Sequence, residues 1–399
     1  MKQQTNRLYF IDAMRAWAIL MMLQGHFVDG LLDPAFRDAS EPVYQVWLYF
    51  RGITAPVFFT VSGFIFTYLL IRVPQTGLEN PRVNKGLKRG LQLLAIGYLL
   101  RLNLFGLLQG KLYDSFYLVD VLQCIGLSIL GVIGFYLLTV RKRQWVFPVL
   151  LLGSTLALFL LEPAYKQMAY PYLPDALENY LTKVNGSIFT IIPWFGYSTF
   201  GAFLSVLFTR FKNARYLYPV AIGISLVSGF LLLNSSPAIA AMAEWTGSSL
   251  FKEIFNNNYL FIRLGNVMLV FAIFMALRHF LKSPALLKLG QNTLSIYVIH
   301  FVILYGSLTG FGLYYFFDHR IAPIIAVPGA IGFMVLCSYT SLQYTKREVQ
   351  IKGRILETGR QLGSQLERVA LDSSRLMKSI SERVVRLVGL LKAKARYNS

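Results

Sequence analysis

An all-α transmembrane bundle is what the sequence predicts, on three observations. The chain of 399 residues is 55% hydrophobic and only 15% charged, with a mean hydropathy of +0.51, far too apolar for a water-soluble domain of this size. Several runs reach the roughly 20 apolar residues that cross about 30 Å of hydrocarbon as a helix. The loops between those runs alternate in charge, one side rich in Lys and Arg and the other rich in Pro, Asp, Glu and Tyr.

Taken in order, the hydropathic runs predict ten spans, near 8–30, 46–71, 89–108, 118–139, 145–161, 187–208, 216–234, 259–279, 290–314 and 323–343. The first is too long for a cleavable signal peptide, carries Asp12 and Arg15, and lacks a small-residue cleavage site, so it is expected to stay. Lys2 and Arg7 precede it, and Arg72, Arg82, Lys85, Lys88 and Arg89 lie between the second and third spans. Arg141, Lys142 and Arg143, then Arg210, Lys212 and Arg215, then Arg278, Lys282 and Lys288 continue that side. The opposite side includes EPAYKQMAYPYLPDALENY (162–180). The positive-inside bias therefore predicts both termini in the cytoplasm, and an even number of spans agrees. Trp47, Tyr49, Trp145, Tyr216, Tyr218 and Tyr259 suit interfacial anchoring. The net charge of +20 is spread over loops and tail in this membrane pattern, which argues against a nucleic-acid partner.

Cys124 and Cys337 each lie in an apolar run, predicting small core residues with no disulfide and no metal-ligand spacing. The division expected is a membrane domain over 1–343 and a basic tail over 344–399. In the tail, Ile355, Leu362, Leu366, Val369, Leu376, Ile380, Leu387 and Leu390 recur at helical spacing, with Gly359, Ser373 and Arg383 interrupting the seam. A helix lying on an anionic membrane surface is favoured over a coiled coil joining protomers, which leaves homo-oligomerisation open.

An ionisable side chain inside a span costs at least about 2.5–3.5 kcal/mol near the bilayer centre, so each needs a reason. Arg15 and His26 are eleven residues apart. Eleven steps of about 100° bring both to one face, separated by about 16 Å along the axis. That stripe would join a cation near the cytoplasmic end to an imidazole in the outer half. Arg51 begins the outer part of the second span, Arg101 lies deep in the third, and Asp120 and Arg263 fall near the outer starts of the fourth and eighth; pairing of Arg101 with Asp120 between neighbouring helices is an equal alternative to a substrate role. His300 taken alone reads first as a hydrogen-bonded packing histidine and second as a site residue. Three local patterns add to these. PVFFTVSGFIF (56–66) puts Ser62 and Gly63 where helices approach closely. IIPWFGY (191–197) sets Pro193 and Trp194 at an expected kink. LGQNTLSIYVIH (289–300) offers Asn292 as an N-cap, then Tyr297 and His300.

Together these blocks resemble the transmembrane acyltransferase superfamily. RLYFIDAMRAWAILMMLQGH (7–26) is similar to its opening of Arg, Asp, Arg and, ten residues on, His; FFTVSGFIF, DVLQCIGL (120–127), IIPWFGY and LGQNTLSIYVIH follow in the expected order over most of 7–310. PWFGY and DVLQCIGL look most like bacterial relatives of heparan-α-glucosaminide N-acetyltransferase; Arg15-x10-His26 and VSGF look like the neighbouring bacterial O-acyltransferases that modify surface polysaccharide. The resemblance implies an enzyme of the bacterial inner membrane that takes an acyl, in particular acetyl, group from cytoplasmic acyl-CoA (acetyl-CoA) to a glycan or amino-sugar acceptor, with lipid around it and no metal. It implies His26 as the catalytic imidazole, supported by Arg15 and Asp12. Arg51, Arg101, Asp120, Ser62, Trp194, Asn292, Tyr297 and His300 become candidate substrate contacts, and Lys85, Lys88 and Arg89 a basic mouth for CoA phosphates. Residues 27–61 contain no histidine, so His26 has no nearby substitute. General-base action and a covalent acyl-histidine both remain open. A transporter or lipid-binding protein using the same charges is the rival class, and it calls for inverted repeats, which the chain does not display.

Overall fold

The computed structural model describes residues 8–348 apart from 167, 169 and 171, together with 350, 351, 353, 354, 357, 358, 361 and 365. The chain divides into two compact units, 1–342 and 343–399. The amphipathic seam expected in 344–399 lies almost wholly outside the described residues. Among the described residues there is no β-strand, only two isolated bridges, Leu32 with Ile321 and Asn103 with Leu308. The fold is an all-α bundle.

The principal helices are α1 (Tyr9–Leu31), α2 (Pro42–Leu70), α3 (Pro81–Arg101), α4 (Val121–Thr139), α5 (Val146–Leu160), α6 (Ile191–Arg210), α7 (Leu217–Leu233), α8 (Ser236–Thr246), α9 (Tyr259–Ala276), α10 (Pro284–Gln291) and α11 (Thr293–Tyr305), and α12 (Pro323–Glu348). By length and apolarity, five helical segments among the described residues can cross a membrane: α2, Asp114–Thr139 around α4, α6, Tyr259–His279 around α9, and α12. Up to seven qualify if α7 with α8 (bent 57°) and α10 with α11 (bent 71°) each count as one span. The remaining expected spans are α1, α3 and α5. The first two carry several charges, and α5 has 15 residues, about 22 Å of helix. The expected ten is thus a count of hydropathic runs, and three of them are too charged or too short to pass as spans on composition alone.

Local chemistry explains where the boundaries moved. α3 begins at Pro81, eight residues before the expected start, because Asn80 caps it by accepting from Arg82 N (2.9 Å) and Pro81 suits a first-turn position. α11 stops at Tyr305 rather than near 314, since Gly306 takes a left-handed conformation (φ 68°) and ends the helix. In α6, Ile192 leaves helical geometry (φ −102°, ψ 125°), as expected of a residue preceding proline. Asn292 does occupy the cap position between α10 and α11, but its side chain makes no capping hydrogen bond.

Small residues set the central crossing. A Cβ on Gly63 would lie 2.0 Å from Ser198 O, and one on Gly201 would lie 1.8 Å from Thr60 O. Only glycine lets α2 and α6 meet backbone to backbone there. Phe10, Phe64, Phe208 and Phe271 fill one side of the bundle, and Phe59, Trp194, Tyr197 and Phe159 belong to the larger core. Cys124 and Cys337 are buried and free. α1 packs on α10 and α11: Arg15 meets Thr293, and His26 meets His300 and Tyr305. Because both pairs ascend together in sequence, α1 and α11 run parallel.

Candidate functional site

α1 supplies the axis of the site. Near its start, Arg15 Nη2 donates to Thr293 Oγ1 (3.1 Å) and its Nη1 lies 3.9 Å from Asp12 Oδ1. α10 seals this end, because a Cβ on Gly290 would fall 1.9 Å from Asp12 O. Arg89 of α3 is close enough to interact electrostatically with Arg15, while Lys85, Lys88 and Arg89 themselves sit on exposed positions. Arg89 Nη1 donates to Gln92 Oε1 (3.2 Å).

Eleven residues further along α1, His26 lies where two cavities meet. The larger, about 510 Å³, is lined by His26, Arg101, Asp120, Tyr305 and Ser307 among others. The smaller, about 220 Å³, is lined by His26, Met21, Asp29, Arg51, Trp194 and Arg263 among others. His26 Nδ1 is 3.3 Å from the Tyr305 hydroxyl. The His300 ring stands edge-on to His26 at 5.2 Å between centroids. His300 is fully buried, and neither of its ring nitrogens has a partner of good geometry. His300 lines neither cavity, as the favoured packing reading has it, without the well-aligned hydrogen bonds that reading supposes.

An ionic network walls the larger cavity. Arg101 Nη2 donates to Asp120 Oδ2 at 3.0 Å, with both side chains largely buried. Asp120 also caps α4, accepting from Val121 N (2.8 Å) while Gln123 Oε1 accepts from Asp120 N (3.2 Å), and it hydrogen-bonds Tyr297. Tyr297 stands edge-on to His300 at 4.7 Å. The pairing of Arg101 with Asp120 is therefore present, and it sits inside a cavity that His26 borders. The same pair thus joins α3 to α4 and borders the cavity.

The smaller cavity is rimmed by Arg51, whose Nε donates to Asp29 Oδ2 and whose guanidinium lies 5.9 Å from the Trp47 ring. Trp194 forms part of its wall, held by Phe59 (5.2 Å) and Phe189 (4.7 Å). Four expected contacts line neither cavity, among them Tyr297 and His300, which pack behind Asp120 and His26. Ser62 lines a small gap of about 10 Å³ between α2, α4 and α6 with Ser128 and Ser198, and Asn292 lines neither cavity beside His26.

Asp29, Tyr305 and Ser307 belong to the site and were not expected from sequence. Asp29 was within reach of pattern reasoning, being one helical turn beyond His26. Tyr305 looks like any interfacial tyrosine at the end of an apolar run, and Ser307 like a turn residue between glycines. Among the described residues no group of three or more His, Cys, Asp or Glu could hold a metal ion. Chemically, the junction joins an imidazole to the Tyr305 hydroxyl and a neutralised ion pair. Such a setting favours proton transfer to and from a bound polar group.

Comparison with protein families matches residues 7–233 to the family described as heparan-alpha-glucosaminide N-acetyltransferase, catalytic. Among curated proteins no match was found.

Proposed function

Because the chain belongs to the heparan-alpha-glucosaminide N-acetyltransferase catalytic family, we propose that it moves an acetyl group from cytoplasmic acetyl-CoA to a glycan or amino-sugar acceptor at the far side of the membrane, with His26 as the base. The observation that carries this reading is the position of His26, the one side chain of the Arg15–His26 stripe that borders both cavities.

In this mechanism Nδ1–H of neutral His26 donates to the Tyr305 oxygen, which leaves Nε2 as the free lone pair. Nε2 takes the proton from an acceptor O–H or N–H while that oxygen or nitrogen bonds to the thioester carbonyl carbon. The C–S bond then breaks, and the departing CoA sulfur receives the proton from His26. Asp120 and Arg101, already paired, keep the surroundings polar without adding net charge. Placing the two reactants on either side of one imidazole supplies the proximity that such a transfer needs.

At the other end of α1, the neighbourhood of Arg15 and Arg89, with Lys85 and Lys88 exposed nearby on α3, supports a cytoplasmic contact for CoA phosphates. Like charges brought together are stabilised when an anion bridges them. The parallel course of α1 and α11 supports an even number of crossings between their starts, as the bacterial inner-membrane scheme with both termini inside requires.

Replacement of His26 tests the proposal. His26→Ala is expected to fold, to bind acetyl-CoA in calorimetry like the parent, and to lose transfer by about 10²–10⁴-fold. Transfer at the parental rate would discard His26 as the base. A parent protein that does not bind acetyl-CoA would favour the transporter or lipid-binding class instead.

A further inference from the structure

Away from His26, a cavity of about 410 Å³ lies between α6 and α7, within the roughly 300–1,000 Å³ usual for small-molecule sites. These helices are consecutive, yet α7 packs far more on α9 than on α6. A glycine pair sets that preference: a Cβ on Gly265 of α9 would lie 2.9 Å from Gly229 O of α7, so the two backbones approach as only small residues allow. Pinned there, α7 leaves its first half, from Leu217 to Ser225, facing α6 across open space. Those eight residues rise about 12 Å. That depth fits within one leaflet, half of the roughly 30 Å of hydrocarbon.

The groove is apolar along its length and charged at one end. Leu204, Leu207 and Phe208 of α6, Val220 and Ile224 of α7, and Met268 of α9 form its walls. Apart from Ser225, its polar side chains are Arg215 and Tyr216, which stand together where α7 begins. Both are exposed, and the Arg215 guanidinium lies 5.3 Å from the Tyr216 ring, a contact that steadies the cation at the mouth. The same turn carries Lys212, and α6 ends on Arg210. No Asp or Glu occurs anywhere in 179–243, so no carboxylate on either helix or on the turn offsets these three cations.

We infer that this groove is a binding site for an anionic phospholipid, with one acyl chain between α6 and α7 and the phosphate on Arg215 at the mouth, beside Lys212 and Arg210. A hydrocarbon slot ending in cations matches the polarity of a lipid in its leaflet, and Lys- and Arg-rich loops mark the side whose leaflet is anionic. A zwitterionic lipid would bring its own cation against three others. The groove shares no residue with either cavity at His26, yet its occupancy reaches α1. Phe208 packs on Phe10 of α1 (5.8 Å between centroids) and on Phe64 of α2 (5.5 Å), and Phe10 lies two residues before Asp12. A seated chain therefore backs the ring that holds the Arg15 end of α1, and the lipid stabilises the folded membrane domain as any ligand of the native state does.

The test uses the full-length protein, stripped of lipid in a nonionic detergent, with dioleoyl phosphatidylglycerol and dioleoyl phosphatidylcholine as probes and Tm as the readout. Phosphatidylglycerol is expected to raise Tm at a lower concentration than phosphatidylcholine. The basic segment 344–399 can meet anionic lipid as well, so the decisive quantity is what each variant removes. Arg215→Gln should raise the half-maximal phosphatidylglycerol concentration about fivefold, the worth of one cation at an anionic surface, and Arg210→Gln with Lys212→Gln and Arg215→Gln about 10²-fold. Val220→Trp, from an exposed position on the groove wall, should cut the rise in Tm by about half or more although all three cations remain. Should Val220→Trp fail to fold, Arg215→Gln decides. Phosphatidylcholine acting as well as phosphatidylglycerol, an unchanged half-maximal concentration in Arg215→Gln, or an undiminished response in folded Val220→Trp would each overturn the inference. So would the same rise in Tm from water-soluble glycerol phosphate, which would leave a phosphate site without a chain. A lipid-free parent with the mass of two copies that Val220→Trp returns to one would place a second copy in the groove instead.

Discussion

At one end of α1, Arg15 is tied to Thr293 and Asp12, and α10 presses its Gly290 against the Asp12 carbonyl. At the other end, His26 borders two cavities, and the polar side chains around it, His300, Arg101 and Asp120, pack more loosely, with Arg101 Nε buried and without a hydrogen-bond partner. The same pair of helices, α1 and α11, makes both ends. Satisfied polar groups and close backbone packing give a rigid clamp at the Arg15 end, whereas the His26 end keeps open space on two sides of the imidazole. A helix pair fixed at one end can hold a reactive side chain in position at the other without filling the space around it. The contrast also crosses the family boundary, since α1 lies within 7–233 and α11 lies beyond it.

The largest way to break this contrast is at the open end. Arg101→Ala strands the Asp120 carboxylate in the cavity wall, and loss of one partner from a buried pair typically costs about 3–5 kcal/mol. The variant is expected to melt well below the parent in a detergent thermal-shift measurement, and Arg101→Ala combined with Asp120→Asn is expected to recover part of the loss. An unchanged melting temperature would mean that the pair is not buried in the working protein. Next in size, Tyr305→Phe removes the hydroxyl that orients His26 and should lower kcat by about tenfold, with KM for acetyl-CoA and the melting temperature unchanged. A shift in stability without a change in kcat would assign Tyr305 to packing alone. Smallest is Thr293→Val at the closed end. It deletes one hydrogen bond to a charged donor, worth about 1.5–3 kcal/mol, part of which Asp12 retains by taking more of Arg15. Modest destabilisation with kcat preserved is expected; a loss of kcat as large as that of Tyr305→Phe would show that the two ends are not separable.

How much of this was legible in the sequence depends on whether a feature is local. The all-α class and the helix cores follow from apolar runs, and the approach of α2 to α6 was foreshadowed by Ser62-Gly63. The common face of Arg15 and His26 needed only helical arithmetic, and both residues do face α11. The division of their surroundings was not foreseeable. A shared stripe suggested a shared path, yet Arg15 lines neither cavity at His26. Asn292 looked like a cap because Asn commonly caps helices, but the 71° bend between α10 and α11 leaves its side chain without the usual backbone donor. Ser307 could not be found at all, since a serine among glycines marks a turn and only long-range contacts with Leu102 and Leu104 turn that segment into a cavity wall.

The central claim, that His26 is where donor and acceptor meet, is tested most directly by an experimental structure of the protein with acetyl-CoA or a non-hydrolysable thioether analogue bound. The account predicts the acyl carbonyl carbon at the junction of the two cavities, close enough to His26 that an acceptor atom hydrogen-bonded to Nε2 would stand about 3–3.5 Å from it. An acyl group held at the Arg15 end, or in a pocket that His26 does not line, would contradict it.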